Sequence, residues 1–507
     1  MSTYCQTNKN MCYWKISSLA VLLLAIVLSS TQAKPTFYTA AVFEHTGKGS
    51  KNDSTADVVK KNLDFYKRAA EVAHSKGADI IVFPEYGVVP YATRKRMKPF
   101  LENVPNPLEV ETTPCSIPDM YTDRPVLYTL SCIAQYNSMY VVANMGDIQN
   151  CTGDPDCPTD GTYHFNTNVV FDRSGTLLLK YHKEHPFFEQ GIDIPKEKQV
   201  PIFKTDFGKF ASFICFDIVF KRITEIAQLP SVEGIAFPTM WIDTVPQFIS
   251  VEYFQAWAMV NNVTLLAANR QVPIKASLGS GIFDGRKGAL AYTLNPDGIS
   301  KLVVAKVARP GTPKISSDAS IIAITANATW DWTDDGKDVP DECSIKSGYP
   351  CQKGTMLQKY TFVKLNKSFG DVEACNNGLC CKLSYISYGL RENYYLGVFN
   401  GTYNIQNTYH WCEEDCLLVR CEDQNGTVCS KFPLKSTKWF YYVYLRGNFT
   451  SDYVYPSVLS SGVRLVPTKY WQQPTNKSIM TLNYAGKSYI SVGLKGRCYN
   501  NDPPFNR

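Results

Sequence analysis

The sequence predicts an α/β fold followed by a smaller, disulfide-rich, mainly β domain. Strand and helix patterns alternate from residue 34 to about residue 330, which is typical of a buried sheet with helices on its outer side. From residue 331 onward helical periodicity fades, and short runs rich in Tyr, Val and Thr are separated by Gly, Asn and Pro. Ten of the 17 cysteines lie in this second part. A chain of 507 residues is long enough for both domains.

The N-terminal segment 1–33 has the pattern of a secretory signal peptide. Lys9 and Lys15 precede an apolar run from Leu19 to Leu28, and small residues follow as far as Ala33. Those ten apolar residues are too few to span a bilayer, which needs about 20. A buried N-terminal helix is the alternative, but the basic start and the small-residue exit fit it less well. We therefore expect cleavage after the last of these small residues, and secretion.

The predicted elements of the first domain follow from apolar runs and from helical spacing. Val59, Leu63 and Tyr66 recur at helical intervals, and Gly77 ends that helix. In order, the elements are strand 37–43, helix 56–76, strand 78–83, helix 126–136, strands 139–143, 168–171, 176–181 and 209–214, helix 220–228, strand 234–237, helix 250–261 and strand 265–268. In the second domain, residues 394–399, 439–445 and 488–492 are the clearest strands.

Composition excludes several classes of protein. The net charge of +6 is small and scattered, which argues against a dedicated nucleic-acid binder. A mean hydropathy of −0.20 argues against a polytopic membrane protein. A hydrophobic content of 44% excludes wholesale disorder. The last residues, 500–507, contain no hydrophobic tail, so we expect free secretion rather than a lipid anchor.

Nine Asn-x-Ser/Thr sequons agree with an extracellular destination, although each is a weak signal alone. The candidate glycosylation sites are Asn52, Asn150, Asn262, Asn327, Asn366, Asn400, Asn425, Asn448 and Asn476.

The cysteines beyond the signal segment are odd in number. Four lie between residues 115 and 157 and ten between residues 343 and 498, so each group can pair within its own region in an oxidising compartment. Cys215 stands alone between the two groups and is expected to be a free thiol. Metal binding is the alternative for the cluster at 412–429, but the chain has only six histidines, and the signal segment favours disulfides.

Three polar residues follow predicted strands at their carboxyl ends, where α/β sheets gather functional groups. They are Glu85, Lys183 and Cys215. A thiol at a strand-to-helix turn meets the N–H groups of the helix start, which favour the thiolate. A lysine can hold an oxyanion, and a carboxylate can take the thiol proton. Each residue alone is more often structural, but the odd cysteine number and the strand-end position both select the same thiol.

Three ordered motifs resemble those of the nitrilase superfamily, with its Glu-Lys-Cys triad. They are Phe83-Pro-Glu-Tyr-Gly87, Lys180-Tyr-His-Lys-Glu-His-Pro-Phe187 and Phe213-Ile-Cys-Phe-Asp217. Further segments are similar to the biotinidase and vanin branch, namely Phe165-Asn-Thr-Asn-Val-Val-Phe-Asp172, Phe237-Pro-Thr-Met-Trp241 and Ala256-Trp-Ala-Met259. The resemblance implies a four-layer α-β-β-α sandwich for residues 34–330, a cysteine-rich β domain for residues 331–507, and hydrolysis of linear amides.

The resemblance also implies roles for individual residues. Glu85 matches the general base, Lys183 the cation that stabilises the tetrahedral intermediate, and Cys215 the nucleophile. Glu189 is the candidate for a second glutamate beside the lysine. The backbone N–H of Phe216 is the expected second oxyanion donor.

The expected substrate is a small secondary amide, with no metal or organic cofactor. Pantetheine is favoured over biotinyl-lysine, and a catalytically inactive secreted binding or signalling glycoprotein is the alternative of another class. Trp241 is expected either to line an acyl pocket or simply to pack in the core. Asp217 and His182 are expected to be structural. Pro186 departs from the aliphatic residue usual after the lysine, which predicts a changed pocket rim.

Overall fold

The computed structural model describes residues 35–50, 52–312, 318–327, 329–331, 359–424, 427–473, 479–482 and 487–505. The predicted signal segment lies outside these ranges, as do Cys343 and Cys351 and the sequons at Asn425 and Asn476. No helix within those ranges combines the length and the apolar character that a membrane crossing requires.

Two sheets form the centre of the first part. Its strands are β1 (Phe37–Glu44), β2 (Ile80–Val82), β3 (Tyr140–Asn150), β4 (Thr162–Phe171), β5 (Leu177–His182), β6 (Ile202–Thr205), β7 (Gly208–Ser212), β8 (Gly234–Thr239), β9 (Thr264–Asn269), β10 (Ser280–Asp284), β11 (Gly288–Thr293), β12 (Ser300–Ala308), β13 (Ala319–Ile324) and β14 (Thr329–Asp331). In the described ranges, the spatial order is β14-β13-β12-β1-β2-β3-β4-β5 in one sheet and β11-β10-β9-β8-β7-β6 in the other. Both sheets are mixed, because β1-β2-β3 and β7-β8-β9 are parallel whereas the remaining pairs are antiparallel.

The helices are α1 (Thr55–Ser75), α2 (Arg94–Met97), α3 (Pro125–Asn137), α4 (Lys221–Ala227) and α5 (Ser250–Val260). The short α2 packs through Met97 against Tyr86 and Ile192, whereas the other helices cover the outer faces of the sheets. Because side chains alternate along a strand, Ala41 and Phe43 of β1 pack with α1 and α3, whereas Ala40 and Val42 face the second sheet. The apolar side chains of α4 and α5 join that inner cluster from the far side. The predicted α-β-β-α sandwich is therefore confirmed.

Every predicted element of the first part is present, with differences at its ends. β3 and β4 are longer than predicted because they pair as a hairpin from Val141–Phe171 to Asn150–Thr162, where polar residues continue the strands. The strand predicted to reach residue 214 ends at Ser212, because the chain turns sharply before Cys215. β6 and β10 to β14 were not predicted from the apolar pattern.

The second part is a β-sandwich. One sheet contains β15 (Thr361–Lys364), β18 (Tyr394–Ile405), β19 (Tyr409–Arg420), β27 (Tyr489–Arg497), β23 (Val454–Ser460) and β24 (Arg464–Leu465). The other contains β16 (Phe369–Asn376), β17 (Leu379–Tyr388), β22 (Trp439–Gly447), β26 (Ile479–Leu482) and β25 (Trp471–Gln472), and β20 (Glu422–Gln424) pairs with β21 (Thr427–Lys431). Leu396 and Leu418 of the first sheet pack against Leu383 and Val443 of the second. The predicted mainly β domain is therefore confirmed.

The disulfides follow the predicted grouping. In the described ranges they are Cys115–Cys132, Cys151–Cys157, Cys375–Cys380, Cys381–Cys416, Cys412–Cys498 and Cys421–Cys429. Of the cysteines described, Cys215 is the free one, and it is buried. The odd number of cysteines in the sequence therefore identified the free thiol correctly.

The β-sandwich packs directly on the first part. The ring of Tyr455 lies 6.0 Å from that of Tyr253 on α5. Arg497 donates through Nη2 to the carbonyl of Val219 at 3.0 Å. The hydroxyls of Thr224 and Tyr499 are also 3.0 Å apart. These contacts fix the hairpin of β18 and β19 beside the carboxyl end of β7.

Candidate active site

Three strand ends bring the predicted triad to one place. Glu85 follows β2, and Lys183 directly follows β5. Cys215 begins a 3-10 turn, Cys215–Val219, three residues after β7 ends. Its φ angle of 45° is rare for a residue other than glycine and turns the chain sharply at the thiol. The two sheets thus contribute the acid and the ammonium from one side and the thiol from the other.

Lys183 is the centre of a buried ionic cluster. Its Nζ lies 2.7 Å from Oε1 of Glu85 and 2.5 Å from Oε1 of Glu189. The Phe187 N–H also donates to Oε1 of Glu189 at 2.9 Å. All three ionic side chains are at most 2% exposed. The structure therefore brings together the two predicted triad members and the predicted second glutamate.

Two asparagines that sequence reasoning missed orient these carboxylates. Asn166 donates from Nδ2 to Oε1 of Glu85 and to Oε2 of Glu189, both at 2.8 Å. Asn144 donates to Oδ1 of Asn166 at 2.6 Å, which leaves the Asn166 amide directed at the acids. Asn166 lies within one of the motifs that resemble the biotinidase and vanin branch, and that motif was the available signal for it.

Met240 lies between the acid and the thiol. Its backbone N–H donates to Oε2 of Glu85 at 2.7 Å, and Met240 lines the same cavity as Cys215. Burial raises the pKa of Cys215, and the charge of Glu85 raises it further, whereas Lys183 and the Met240 amide act in the opposite direction. The expectation of a helix-stabilised thiolate is therefore wrong for the free protein. The turn at the thiol is a single short 3-10 segment, and burial outweighs its N–H groups.

Burial acts in opposite directions on the pKa values of the acid and the ammonium. Burial raises the pKa of Glu85, with Lys183 lowering it and Glu189 raising it again. Burial alone would lower the pKa of Lys183, but Glu189 and Glu85 raise it well above its ordinary value. The site therefore holds a permanent cation beside a carboxylate that binds a proton more readily than a solvated one.

The predicted oxyanion donor lies in the turn that Cys215 begins. The N–H of Asp217 donates to the carbonyl of Ile214 at 3.0 Å and starts the 3-10 ladder. The N–H of Phe216 comes before the first hydrogen bond of that ladder. It resembles the first N–H groups of any helix, which the helix itself does not use.

A cavity of about 290 Å³ opens over Cys215. Its wall is largely aromatic, with Phe187, Phe248 and Trp411 among the lining residues. The hairpin of β18 and β19 adds Asn404, Ile405 and Gln406 to this lining. The second domain therefore forms part of the pocket, which no sequence pattern indicated.

Trp241 both lines the cavity and packs in the core. Its indole N–H donates to the carbonyl of Phe248 at 2.9 Å, and its ring stacks on Tyr253 with centroids 5.4 Å apart. Trp241 is only 7% exposed. The two expected readings of this residue therefore hold together, because one face of the ring is packed and the residue still borders the pocket.

Tyr409 fixes the loop after the lysine. Its hydroxyl accepts from the N–H of Phe188 at 2.7 Å and donates to the carbonyl of Pro186 at 3.0 Å. The ring also stacks against Phe187, with centroids 5.2 Å apart. The loop at Pro186 is therefore held by the second domain, and a changed pocket rim at this residue stays a prediction.

Asp217 and His182 have structural contacts. Asp217 accepts from the N–H and from Nδ1 of His185, and from the Tyr181 hydroxyl at 3.0 Å. His182 pairs with Asp147 at 2.8 Å and stacks on Phe165. These contacts fit the structural roles expected for both residues.

The described sequons lie at the surface, and a possible metal site coincides with a disulfide. Among the described sequons, six asparagines are exposed and one is half-buried. The exposed ones are Asn52, Asn150, Asn262, Asn327, Asn366 and Asn448, and the half-buried one is Asn400. A set of side chains with spacing suited to a metal ion, Glu373, Cys375 and Cys380, has its two sulfurs joined to each other.

Comparisons with known proteins match both parts of the chain. Residues 39–263 match the carbon-nitrogen hydrolase family, and residues 349–502 match the vanin C-terminal domain. Pantetheinase from Homo sapiens is 34% identical over 499 residues, covering 95% of this chain and 93% of that protein. Biotinidase from Bos taurus is 32% identical over 491 residues, covering 92% and 93%. A mutant of the Nesterenkonia AN1 amidase, from the nitrilase superfamily, aligns with 54% of this chain and 93% of its own at 19% identity and a TM-score of 0.39.

The fold and these matches define a carbon–nitrogen hydrolase, an enzyme that acts on amides other than peptide bonds. Within the nitrilase superfamily, the chain belongs to the branch that contains the vanins and biotinidase.

Proposed function

We propose that this chain is a secreted pantetheine hydrolase that releases pantothenate and cysteamine through a thioester on Cys215. The observation that carries the proposal is the position of Met240, whose backbone N–H donates to the Glu85 carboxylate at 2.7 Å and which lines the same cavity as Cys215. The acid therefore lies next to the cavity that the nucleophile borders. The relatives named pantetheinase and their nearly full-length coverage support the choice of substrate.

In the acylation half, Glu85 accepts the thiol proton as sulfur bonds to the amide carbonyl carbon. Concerted transfer suits this site because burial raises the pKa of both the Cys215 thiol and the Glu85 carboxyl group. The carbonyl oxygen becomes an oxyanion, which Lys183 and the N–H of Phe216 stabilise. The C–N bond then breaks, Glu85 returns its proton to the nitrogen, and the amine leaves.

In the deacylation half, water attacks the thioester carbonyl. Glu85 accepts a proton from the water while the same two donors hold the second oxyanion. The C–S bond breaks, the acid leaves, and the proton passes from Glu85 to the sulfur. Glu189 acts throughout by holding the ammonium of Lys183 in place, at 2.5 Å.

The cavity suits an extended chain with polar groups along it. Its aromatic walls cover apolar carbons, and Thr244, Asn404 and Gln406 offer polar side chains for hydroxyl and amide groups. The pantothenoyl arm of pantetheine has this alternation of branched carbon, hydroxyl and amide. A biotin amide is the second candidate, because the biotinidase relatives cover the chain almost as completely.

The experiment that tests the substrate is a parallel assay of the purified chain. Pantetheine and biocytin are incubated separately with wild-type protein and with Cys215→Ala, and the released amine is measured. Release from pantetheine with the higher kcat/KM supports the proposal. A higher kcat/KM with biocytin assigns a biotinidase-type activity, and no release from either indicates the binding or signalling glycoprotein.

We further propose that the mature chain begins at Lys34, with a catalytic domain to residue 330 and a β domain from residue 331. The disulfides support an oxidising destination. Expression in animal cells, N-terminal sequencing of the protein in the medium, and its mass before and after removal of N-glycans test this proposal. An uncleaved protein retained inside the cells would contradict it.

A further inference from the structure

A second cavity, of about 600 Å³, lies on the other side of the loop that follows Glu85. Gly47, Lys48 and Arg270 line it, together with the loop from Tyr86 to Ala92. Arg270 follows β9 directly and forms an isolated bridge with His45, just beyond β1. The cavity therefore lies at the carboxyl ends of β1 and β9, where α/β sheets bind ligands.

Arg270 has no ion pair or side-chain hydrogen bond within the part of the chain that the structure describes. Its Nε is fully enclosed and unsatisfied, and burial lowers the pKa of its guanidinium. A Cβ at Gly47 would lie 2.7 Å from its Nη2, so the glycine leaves room for the guanidinium. Arg270 as a whole is half-buried, and its enclosed Nε is a donor that is costly to leave without a partner.

The acids near Arg270 are already bonded to other groups. Glu85 acts on the guanidinium electrostatically, but its oxygens accept from Lys183, Asn166 and Met240. Asp53 also lines the cavity, and it accepts from Lys61 at 2.8 Å and from the N–H of Ser50. The positive charge therefore lacks a counter-charge from the described side chains.

Two further cations border the same space. Lys48 is half-buried and Arg96 is exposed, and neither forms a salt bridge within the described residues. Lys48 and Arg270 line the same cavity, and Gly47, the residue before Lys48, adjoins the Arg270 guanidinium. A cavity bordered by three cations, with its one lining acid bonded elsewhere, attracts anions.

We propose that this cavity binds a small oxyanion, a phosphate, sulfate or carboxylate group, on Arg270 with Lys48 as the second contact. Arg270 supplies planar paired N–H donors that match two oxygens of such a group, and Lys48 supplies a point charge. The site is separate from Cys215 and goes beyond the proposed hydrolysis. The loop of this cavity is linked to the segment after Lys183, because the hydroxyls of Tyr86 and Tyr91 donate to Glu189 and to the carbonyl of Phe188.

The test measures binding without any assay of hydrolysis. Inorganic phosphate, sulfate and acetate are titrated separately into the purified mature chain by calorimetry, and Tm is recorded, with sodium chloride keeping the ionic strength constant. We expect at least one of the three anions to bind saturably and to raise Tm. The three titrations distinguish a phosphate or sulfate site from a carboxylate site. Absence of saturable binding for all three anions overturns the proposal.

Substitutions at single residues test which side chains bind the anion. Arg270→Gln is expected to weaken the bound anion at least about tenfold, Lys48→Gln to weaken it less, and Lys209→Gln, on the exposed side of β7, to leave it unchanged. In buffer without oxyanions, Arg270→Gln is expected to be at least as stable as wild type, because it removes an enclosed Nε donor that has no partner among the described residues. Unchanged affinity in both Arg270→Gln and Lys48→Gln overturns the assignment. If Arg270→Gln fails to fold, Lys48→Gln alone decides it.

Discussion

Nζ of Lys183 lies 2.7 Å from Oε1 of Glu85, although 98 positions separate the two residues in the chain. The same ammonium also holds Glu189, so two buried carboxylates share one cation. The two carboxylates raise the pKa of Lys183, so they favour its charged form. Burial raises the pKa of Glu85, and Glu189 raises it further although Lys183 acts in the opposite direction. The proposed chemistry depends on both effects, because the cation stabilises an oxyanion and the acid carries a proton.

Lys183→Met is expected to lower kcat by at least roughly 10²–10³, the cost of losing one oxyanion donor in other enzymes. It also leaves Glu85 and Glu189 facing each other without a cation, so the pair should bind a proton more readily than in wild type. Steady-state kinetics measure the loss of kcat, and Tm measures how the unpaired carboxylates affect stability. Lys204→Met, at an exposed position of β6, is the control and is expected to behave as wild type. A Lys183→Met protein that retains wild-type kcat would contradict the oxyanion role.

Glu85→Gln preserves the shape of the side chain but removes the proton acceptor. We expect kcat to fall by about 10²–10⁴, the usual contribution of a general base. Glu184→Gln is the matched control, because Glu184 is also buried and adjacent to the lysine but pairs with Arg222. Amine release per folded molecule is measured for both variants. Equal losses in the two variants would indicate a general effect of removing a buried acid.

The strand-end positions of the triad could be predicted from the sequence because each side chain follows a short apolar run. Val82, His182 and Ser212 end the strands close to Glu85, Lys183 and Cys215. The acidity of the thiol could not be predicted, because it depends on burial and on distant charges. Likewise, Asn144 and Asn166 look like ordinary polar residues of a strand until the sheet register directs them at the acids.

Tyr409→Phe tests whether the second domain positions the catalytic loop. The change removes two hydrogen bonds to the loop at Pro186 and Phe188, so we expect a loss of about 1–3 kcal/mol in stability and a lower kcat. Tyr403→Phe is the matched control. Tyr403 is also a buried tyrosine of the hairpin, but its hydroxyl has no hydrogen-bond partner in the described ranges. Denaturant unfolding and amine release are measured for both, and an unaltered Tyr409→Phe protein would contradict the role.

The contribution of the β domain to the pocket illustrates the limit of sequence reasoning. Its strands could be recognised from Tyr- and Val-rich runs, and its disulfides from cysteine parity. Asn404 and Gln406, however, lie at a hairpin tip with no pattern that indicates a binding role. Their position follows from long-range packing, including the contact of Arg497 with the carbonyl of Val219.

The pH dependence of alkylation tests the environment of Cys215. Burial and the charge of Glu85 raise the pKa of the thiol, so the thiolate should be scarce at neutral pH and increase as pH rises. We expect the rate of iodoacetamide labelling at Cys215 to keep rising through pH 9, with no plateau at lower pH. Peptide mass spectrometry after timed labelling measures this rate. A plateau below pH 7 would show an activated thiolate and contradict the proposed proton transfer to Glu85.

Release of cysteamine from pantetheine by wild type and by Cys215→Ala, at equal concentrations of folded protein, tests the central claim most directly. We expect steady release by wild type, with a pantothenoyl adduct on the Cys215 peptide in acid-stopped samples, and no release above background by the variant. Wild-type-like turnover by folded Cys215→Ala would contradict the account, because the amide bond would then break without the sulfur.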